Sequence, residues 1–219
     1  MKKKIIYLSI VVLSTIFVLL LSTLIVTNSK EVYNYSVETL DLVEKTNLSM
    51  EEINNNYSYV VDYVLGDTEK NFKLPSLEYS QDGAIHFEEV RNLFTLAKKV
   101  IFLLIIAIPI IFLIYYKLYS NFKPIKTIGT TLVIIPCLSA IIVSLNFKFF
   151  FTIFHNIFFN NDKWLFDPLT DPIINILPEE FFALCGITIL LITAIIGILL
   201  LSSFYILNRI KRNEITINN

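Results

Sequence analysis

Four long apolar runs limit what this chain can fold into more than any other feature. They cover roughly Ile5 to Val26, Val100 to Tyr116, Thr127 to Phe147 and Phe181 to Leu207. Each is close to the roughly 20 residues a helix needs to cross about 30 Å of hydrocarbon. Inside lipid no water satisfies a backbone amide, so a spanning segment must be a helix or part of a closed barrel. Unbroken apolar runs of this length point to helices. The chain is therefore expected to be an all-α membrane protein with four transmembrane helices and an extracellular cap formed by two outer loops. Composition agrees. Of 219 residues, 55% are hydrophobic and only 17% are charged, which is too apolar for an ordinary soluble domain.

The expected order is a first span over 1–26, an outer loop over 27–99 and a second span over 100–116. A cytoplasmic turn over 117–126 leads to a third span over 127–147. A second outer loop over 148–180, a fourth span over 181–207 and a cytoplasmic tail over 208–219 complete it. The first run starts with Lys2, Lys3 and Lys4, as a signal peptide would. Its apolar stretch exceeds the roughly 7–15 residues of a signal sequence, and no small-x-small site follows, so it is expected to stay as an anchor. Short basic flanks set orientation. Lys2 to Lys4, then Lys117, Lys123 and Lys126, then Arg209, Lys211 and Arg212 all fall on one side of a four-span topology. That places both termini in the cytoplasm of a multi-pass cell-membrane protein. Lys98 and Lys99 run against this pattern, but they close a long loop, where the rule is weak.

Several classes of function are disfavoured. The net charge of −1 offers no basic footprint, so nucleic acid is not an expected partner. The spans carry almost no ionisable groups, which argues against a pump, a proton relay or a voltage sensor. Cys137 and Cys185 sit in apolar segments without metal-ligand spacing, and small buried hydrophobes is their plain reading. His86 is followed by Phe87, Glu88 and Glu89, so no zinc-protease HExxH is present. Five glycines make no phosphate-binding loop. No metal and no cofactor is expected.

The outer loops hold what chemistry remains. In the first, Val37, Leu40, Val43 and Leu48 suggest an amphipathic helix continuing from the first span. Ile53, Tyr57, Val60, Val61 and Val64 predict a helix over Met50 to Leu65, with Gly66 placed to end it. An irregular piece from Asn71 to Tyr79 follows, with Phe72, Leu74 and Leu77 available to pack. Ser80 or Asp82 can then cap a helix that runs straight into the second span, carrying His86, Glu89, Val90, Leu93 and Ala97 on one face. The plainest role for His86 is a surface histidine paired with Glu89.

The second outer loop contains FHNIFFNNDKWLFDPLTDPIINILPEEFF, from Phe154 to Phe182. The phenylalanines before it read as an interfacial aromatic belt. His155 lies on the same aromatic helix, near headgroup level. Asn160, Asn161 and Asp162 make a turn. Asp167-Pro168 and Asp171-Pro172 each fit a helix start, with Asp as cap and Pro in the first turn. Pro178 opens the last span, with Glu179 and Glu180 in its first turn. Two histidines on the outer face, with carboxylates nearby, suit proton transfer near neutral pH.

HFEEVRNLF, NNNYSYVVDYVLG and the long second-loop motif resemble the bacterial lipoprotein intramolecular transacylases. The resemblance covers nearly the whole chain. Members usually carry Asp three residues after the first histidine, where this chain has Glu89. The resemblance implies an acyltransferase that moves the sn-2 acyl chain of a diacylglyceryl lipoprotein to the α-amine of its N-terminal cysteine. The product is a lyso-form lipoprotein. It implies diacylglyceryl-modified lipoproteins in the outer leaflet and membrane lipid as partners, and His86 and His155 as the catalytic residues. Asn156, Trp164, Phe166, Asp167 and Glu89 are then the supporting residues, which shape the site or orient a histidine. The rival readings are a lipid or lipoprotein hydrolase using the same histidines, a metal-dependent membrane protease, and a non-enzymatic membrane scaffold or sensor.

Overall fold

The structure is a computed structural model that describes residues 1–66 and 71–217, with side chains to residue 213. Residues 67–70 of the expected first loop and 218–219 of the expected tail lie outside the described residues. Among the described residues all regular structure is helical. The order is α1 (Lys2–Thr27), α2 (Lys30–Thr39), α3 (Leu42–Thr46), α4 (Met50–Leu65) and α5 (Gln81–Tyr119). Then come α6 (Lys123–Leu145), α7 (Phe147–Phe158), α8 (Ile173–Ile176) and α9 (Glu179–Ile217). Helices α1, α5, α6 and α9 are each long and apolar enough to cross a membrane. Pro109 and Pro136 lie inside α5 and α6.

The chain divides into two compact units. The first comprises residues 1–24, 99–142 and 187–219. Its core is small: Ile10, Val11, Val18, Tyr115, Ile128 and Leu132. Large apolar side chains such as Phe102, Leu103, Ile141 and Leu199 are exposed instead. That inversion suits helices whose outer faces meet lipid rather than water. Polar groups inside the bundle bond to one another. The Thr193 hydroxyl donates to the Ile189 carbonyl at 2.8 Å and lies 3.2 Å from the Ser22 hydroxyl. The basic residues gather at one end. Lys3 lies over the Tyr119 ring, Lys211 donates to the Ser120 carbonyl, and Lys126 lies over Phe204.

Helices α6 and α9 approach closely at two glycines. A Cβ at Gly129 would lie 2.8 Å from the Gly197 carbonyl oxygen, and one at Gly197 would lie 2.8 Å from the Gly129 carbonyl oxygen. Small residues allow such backbone approach between helices in lipid. Gly186 and Gly197 are not spaced for a dimer motif, and Gly197 is used inside the chain.

The second unit comprises residues 25–98 and 143–186. Its core joins Tyr33, Val37, Ile53, Tyr57, Val60, Phe72, Leu74, Phe87, Ile173, Ile176 and Phe181, among others. Tyr33 and Tyr57 stack at 3.5 Å, and Phe181 packs edge-on against both. The Tyr33 hydroxyl donates to the Ile176 carbonyl at 2.9 Å, which gives this buried phenol its partner.

Local expectations met different outcomes. Helix α4 covers the predicted Met50 to Leu65 and ends at Gly66 with φ 80°. Ser49 and Glu52 close a capping box at its start, a signal the sequence reading passed over. The piece over 71–79 is irregular, and Phe72 and Leu74 are buried. The amphipathic helix expected to continue from the first span does not: the chain breaks after Thr27, and the Ser29 hydroxyl accepts the Val32 amide to begin α2. At Asn146 the side chain accepts the Phe149 amide at 3.1 Å and starts α7 as a separate helix.

Replacing Gly197 with alanine is expected to lower the melting temperature of the detergent-purified protein, at a cost of about 1–3 kcal/mol from overpacking. An unchanged melting temperature would contradict the close α6–α9 approach.

Candidate active site

His86 and His155 lie in the second unit, 69 residues apart in sequence, and the fold brings them together. His86 is in the second turn of α5, well before the apolar stretch that begins near Val100. Ser80 caps that helix by accepting the Gly83 amide at 2.9 Å. His155 is on α7, nine residues after the Asn146 cap. Each histidine is only 7% exposed. Their ring centroids are 5.9 Å apart, with the planes 36° from parallel. At this ring separation one small substrate group can touch both imidazoles.

The surroundings are aromatic. Phe159 and Phe166 present T-shaped contacts to His86 at 4.8 and 5.5 Å. Trp164 stacks on His155 at 4.3 Å, and Phe151 lies at the same centroid distance. These rings remove water and hold both imidazoles by packing. The His155 Nδ1 is 2.7 Å from the Phe151 carbonyl oxygen. A carbonyl only accepts, so Nδ1 carries the proton in the neutral ring. The Nε2 lone pair is then free to take a proton. The His86 Nδ1 is buried and has no hydrogen-bond partner among the described residues, as do Glu89 Oε2 and Trp164 Nε1.

Electrostatics follow from this burial. Desolvation pushes the His86 imidazole down to about 4, and the neighbouring His155 adds to the effect. His155 is also lowered by burial, opposed in part by its bond to the Phe151 carbonyl. Both rings are therefore uncharged at neutral pH.

The other predicted residues fall at different distances from this pair. Phe166 and Trp164 touch the imidazoles. Glu89 does not pair with His86; its Oε1 accepts the Asn161 side-chain amide at 2.7 Å. His86 is buried, so the surface-histidine role is corrected: packing of Phe159 and Phe166 over the ring displaces both water and Glu89. Asn156 is on the exposed side of α7. Asp167 is exposed and accepts the Leu169 amide at 2.9 Å, which makes a turn rather than the expected helix start. Asp171 is 3% exposed and does not cap α8, whose start has no side-chain cap. Its carboxylate accepts the Ser80 amide at 2.8 Å instead. Phe151, Phe159 and Asn161 border the site and were not singled out as site residues, because the aromatic run reads equally well as an interfacial belt. Among the described residues no three His, Cys, Asp or Glu side chains gather as a metal-binding group.

Comparison with known proteins narrows the chemistry. Residues 8–182 match the family described as lipoprotein intramolecular transacylase Lit. No curated protein sequence matches this one. Among solved structures, the membrane integral lipoprotein intramolecular transacylase Lit from Bacillus cereus is similar, with a TM-score of 0.89 and 30% identity over 96% of this chain and 98% of that one. A variant of the same Bacillus cereus protein, with a histidine replaced by arginine, gives a TM-score of 0.86 at 29% identity, covering 97% of this chain and 95% of that one. A histidine-to-alanine variant gives 0.85 at 29%, covering 96% of each chain. The chain belongs to the lipoprotein intramolecular transacylase family.

Proposed function

We propose that this chain, an acyltransferase by family, moves the sn-2 acyl chain of a diacylglyceryl lipoprotein onto the α-amine of the N-terminal cysteine. The observation that carries the reading is the buried pair of uncharged imidazoles, 5.9 Å apart inside an aromatic shell. The substrate supplies both donor ester and acceptor amine, so no nucleotide is required. Holding the two in contact contributes about 7–11 kcal/mol of the barrier, and the side chains need only move protons.

The two histidines take different roles. His155 Nε2, with its lone pair free, takes the proton as the amine nitrogen attacks the ester carbonyl. His86 is neutral and donates a hydrogen bond to the oxyanion of the tetrahedral intermediate. That intermediate collapses, the C–O bond breaks and the C–N amide remains. The proton held on His155 passes to the departing glyceryl oxygen. Phe166 and Trp164 keep the rings in place and exclude water, which favours transfer to the amine over hydrolysis. Both termini face the cytoplasm and the substrate is met in the outer leaflet with membrane lipid around it. The cytoplasmic placement of the termini is supported by the basic residues Lys3 and Lys211 beside the α5–α6 turn.

Purified protein and a diacylglyceryl lipopeptide test the roles by product mass spectrometry. His155→Ala and His155→Gln are each expected to lower kcat about 100- to 10,000-fold, since neither keeps a base. His86→Ala is expected to lose about 100- to 1,000-fold, with His86→Gln recovering part of it through its donor amide. Full activity in either alanine variant would remove that histidine from the mechanism.

The pH profile provides a second test. The α-amine, with an ordinary pKa of about 7.7–8.0, must be neutral to attack. Both histidines are lowered, His86 to about 4, so they stay uncharged and competent as pH falls through 6.5. The logarithm of kcat/KM should therefore fall with a slope of about one from pH 7.5 through pH 6.5, and any further steepening should lie below 6.5. Steepening to a slope of two near pH 6.5 would indicate an ordinary, solvated histidine and contradict the buried site.

A further inference from the structure

We propose that Asp171 is a positioning residue for His86: it completes, from the second loop, a capping box that the start of α5 lacks in its own sequence. In an ordinary capping box the N-cap hydroxyl accepts the N3 amide, and an N3 Glu or Gln accepts the N-cap amide. Helix α4 has that arrangement in Ser49 and Glu52. At α5 the first half is present, because Ser80 accepts the Gly83 amide at 2.9 Å. The N3 residue is Gly83, which has no side chain to return the bond. Asp171 supplies it, accepting the Ser80 amide at 2.8 Å from 91 residues away. Its other oxygen accepts the Thr170 hydroxyl at 2.8 Å.

The fit is tight. A Cβ at Gly83 would collide with the Asp171 carboxylate. The absent N3 side chain is thus the space that the foreign carboxylate occupies. A carboxylate bonded to an amide at a helix N-terminus is charge-assisted and favoured by the helix dipole. At 3% exposure this one is little screened by solvent. Two further ties run from the same loop to the same helix: Lys163 pairs with Asp82, and Asn161 donates to Glu89 at 2.7 Å. His86 lies between these anchor points. It shares a face with Gly83, at i and i+3. Its backbone amide bonds back to the carbonyl of residue 82, in the first turn. Fraying of that turn would therefore loosen the His86 backbone itself.

The loop that Asp171 closes also carries Trp164, which stacks on His155. Asp171 thus ties together the helix with one histidine and the loop that packs the other. Misplacement of a reacting group by about 1 Å can cost about 100-fold in rate. The expected signature is a loss of kcat with little change in KM.

This inference rests on the proposed transacylase activity, and the experiment separates the two. N-acyl product formation from the diacylglyceryl lipopeptide is followed with folded, monodisperse wild type, Asp171→Asn, Asp171→Ala and the double variant Asp171→Ala with Gly83→Glu. Asp171→Ala is expected to lower kcat about 10- to 100-fold with KM within about threefold. Asp171→Asn keeps an acceptor for Ser80 and should fall between wild type and alanine. Gly83→Glu moves the carboxylate to the ordinary N3 position and should restore most of the kcat lost in Asp171→Ala. Wild-type kcat in folded Asp171→Ala, or no rescue in the folded double variant, would overturn the proposal. If Asp171→Ala does not fold, Asp171→Asn decides: kcat reduced about threefold or more at unchanged KM supports the positioning role, and wild-type kcat overturns it. Absence of N-acyl product with wild type would instead sink the transacylase reading itself.

Discussion

Burial of two imidazoles without a charged partner is the constraint on which the second unit depends. An ionised ring in that aromatic shell would have to leave water with no compensating anion, so desolvation keeps both rings neutral. Neutrality in turn requires firm placement, because no ion pair holds the rings. The structure meets this with packing and backbone bonds. Trp164 and Phe151 hold His155 from its sides, and the Phe151 carbonyl fixes its tautomer. Phe159 and Phe166 enclose His86. Polar ties at Ser80, Asp82 and Glu89 join the helix that carries His86 to the loop that carries Trp164.

This arrangement suits a reaction that makes no net charge and needs no outside energy. Exchange of an ester for an amide within one molecule asks the protein for proximity, a proton acceptor and a donor to the oxyanion. In the proposed reaction the buried pair provides these, with one lone pair and one donor, and exclusion of water disfavours the competing hydrolysis. His86 Nδ1, Glu89 Oε2 and Trp164 Nε1 are buried without a hydrogen-bond partner among the described residues, so polar atoms as well as aromatic faces line this region.

Much of the fold was legible because the physical signals were long or strictly local. Helices α1, α5, α6 and α9 follow from apolar length, since lipid leaves a helix little alternative. Helix α4 follows from period and from Gly66. The breaks at Ser29 and Asn146 each depend on a single capping side chain, and a continuous pattern hides them. The candidate site was legible in part. His86 and His155 stood out as the two histidines, and the family resemblance joined them, but nothing in their spacing shows that rings 69 residues apart meet. Asp171 shows the limit most sharply. An Asp-Pro step looks like a local helix cap, and here the carboxylate caps a helix in the other loop. Only a tertiary contact decides between these, and Gly83 alone gave no hint that its missing side chain mattered.

The most direct test of the account is an isotope-mixing experiment with the purified protein. One diacylglyceryl lipopeptide carries deuterated acyl chains, and a second, of different peptide mass, carries unlabelled chains. The two are converted together and the N-acyl products are weighed by mass spectrometry. Intramolecular transfer predicts that every deuterated amide stays on its own peptide, with the glyceryl ester chain beside it. Deuterated amide on the unlabelled peptide, or free fatty acid as the main product, would contradict it.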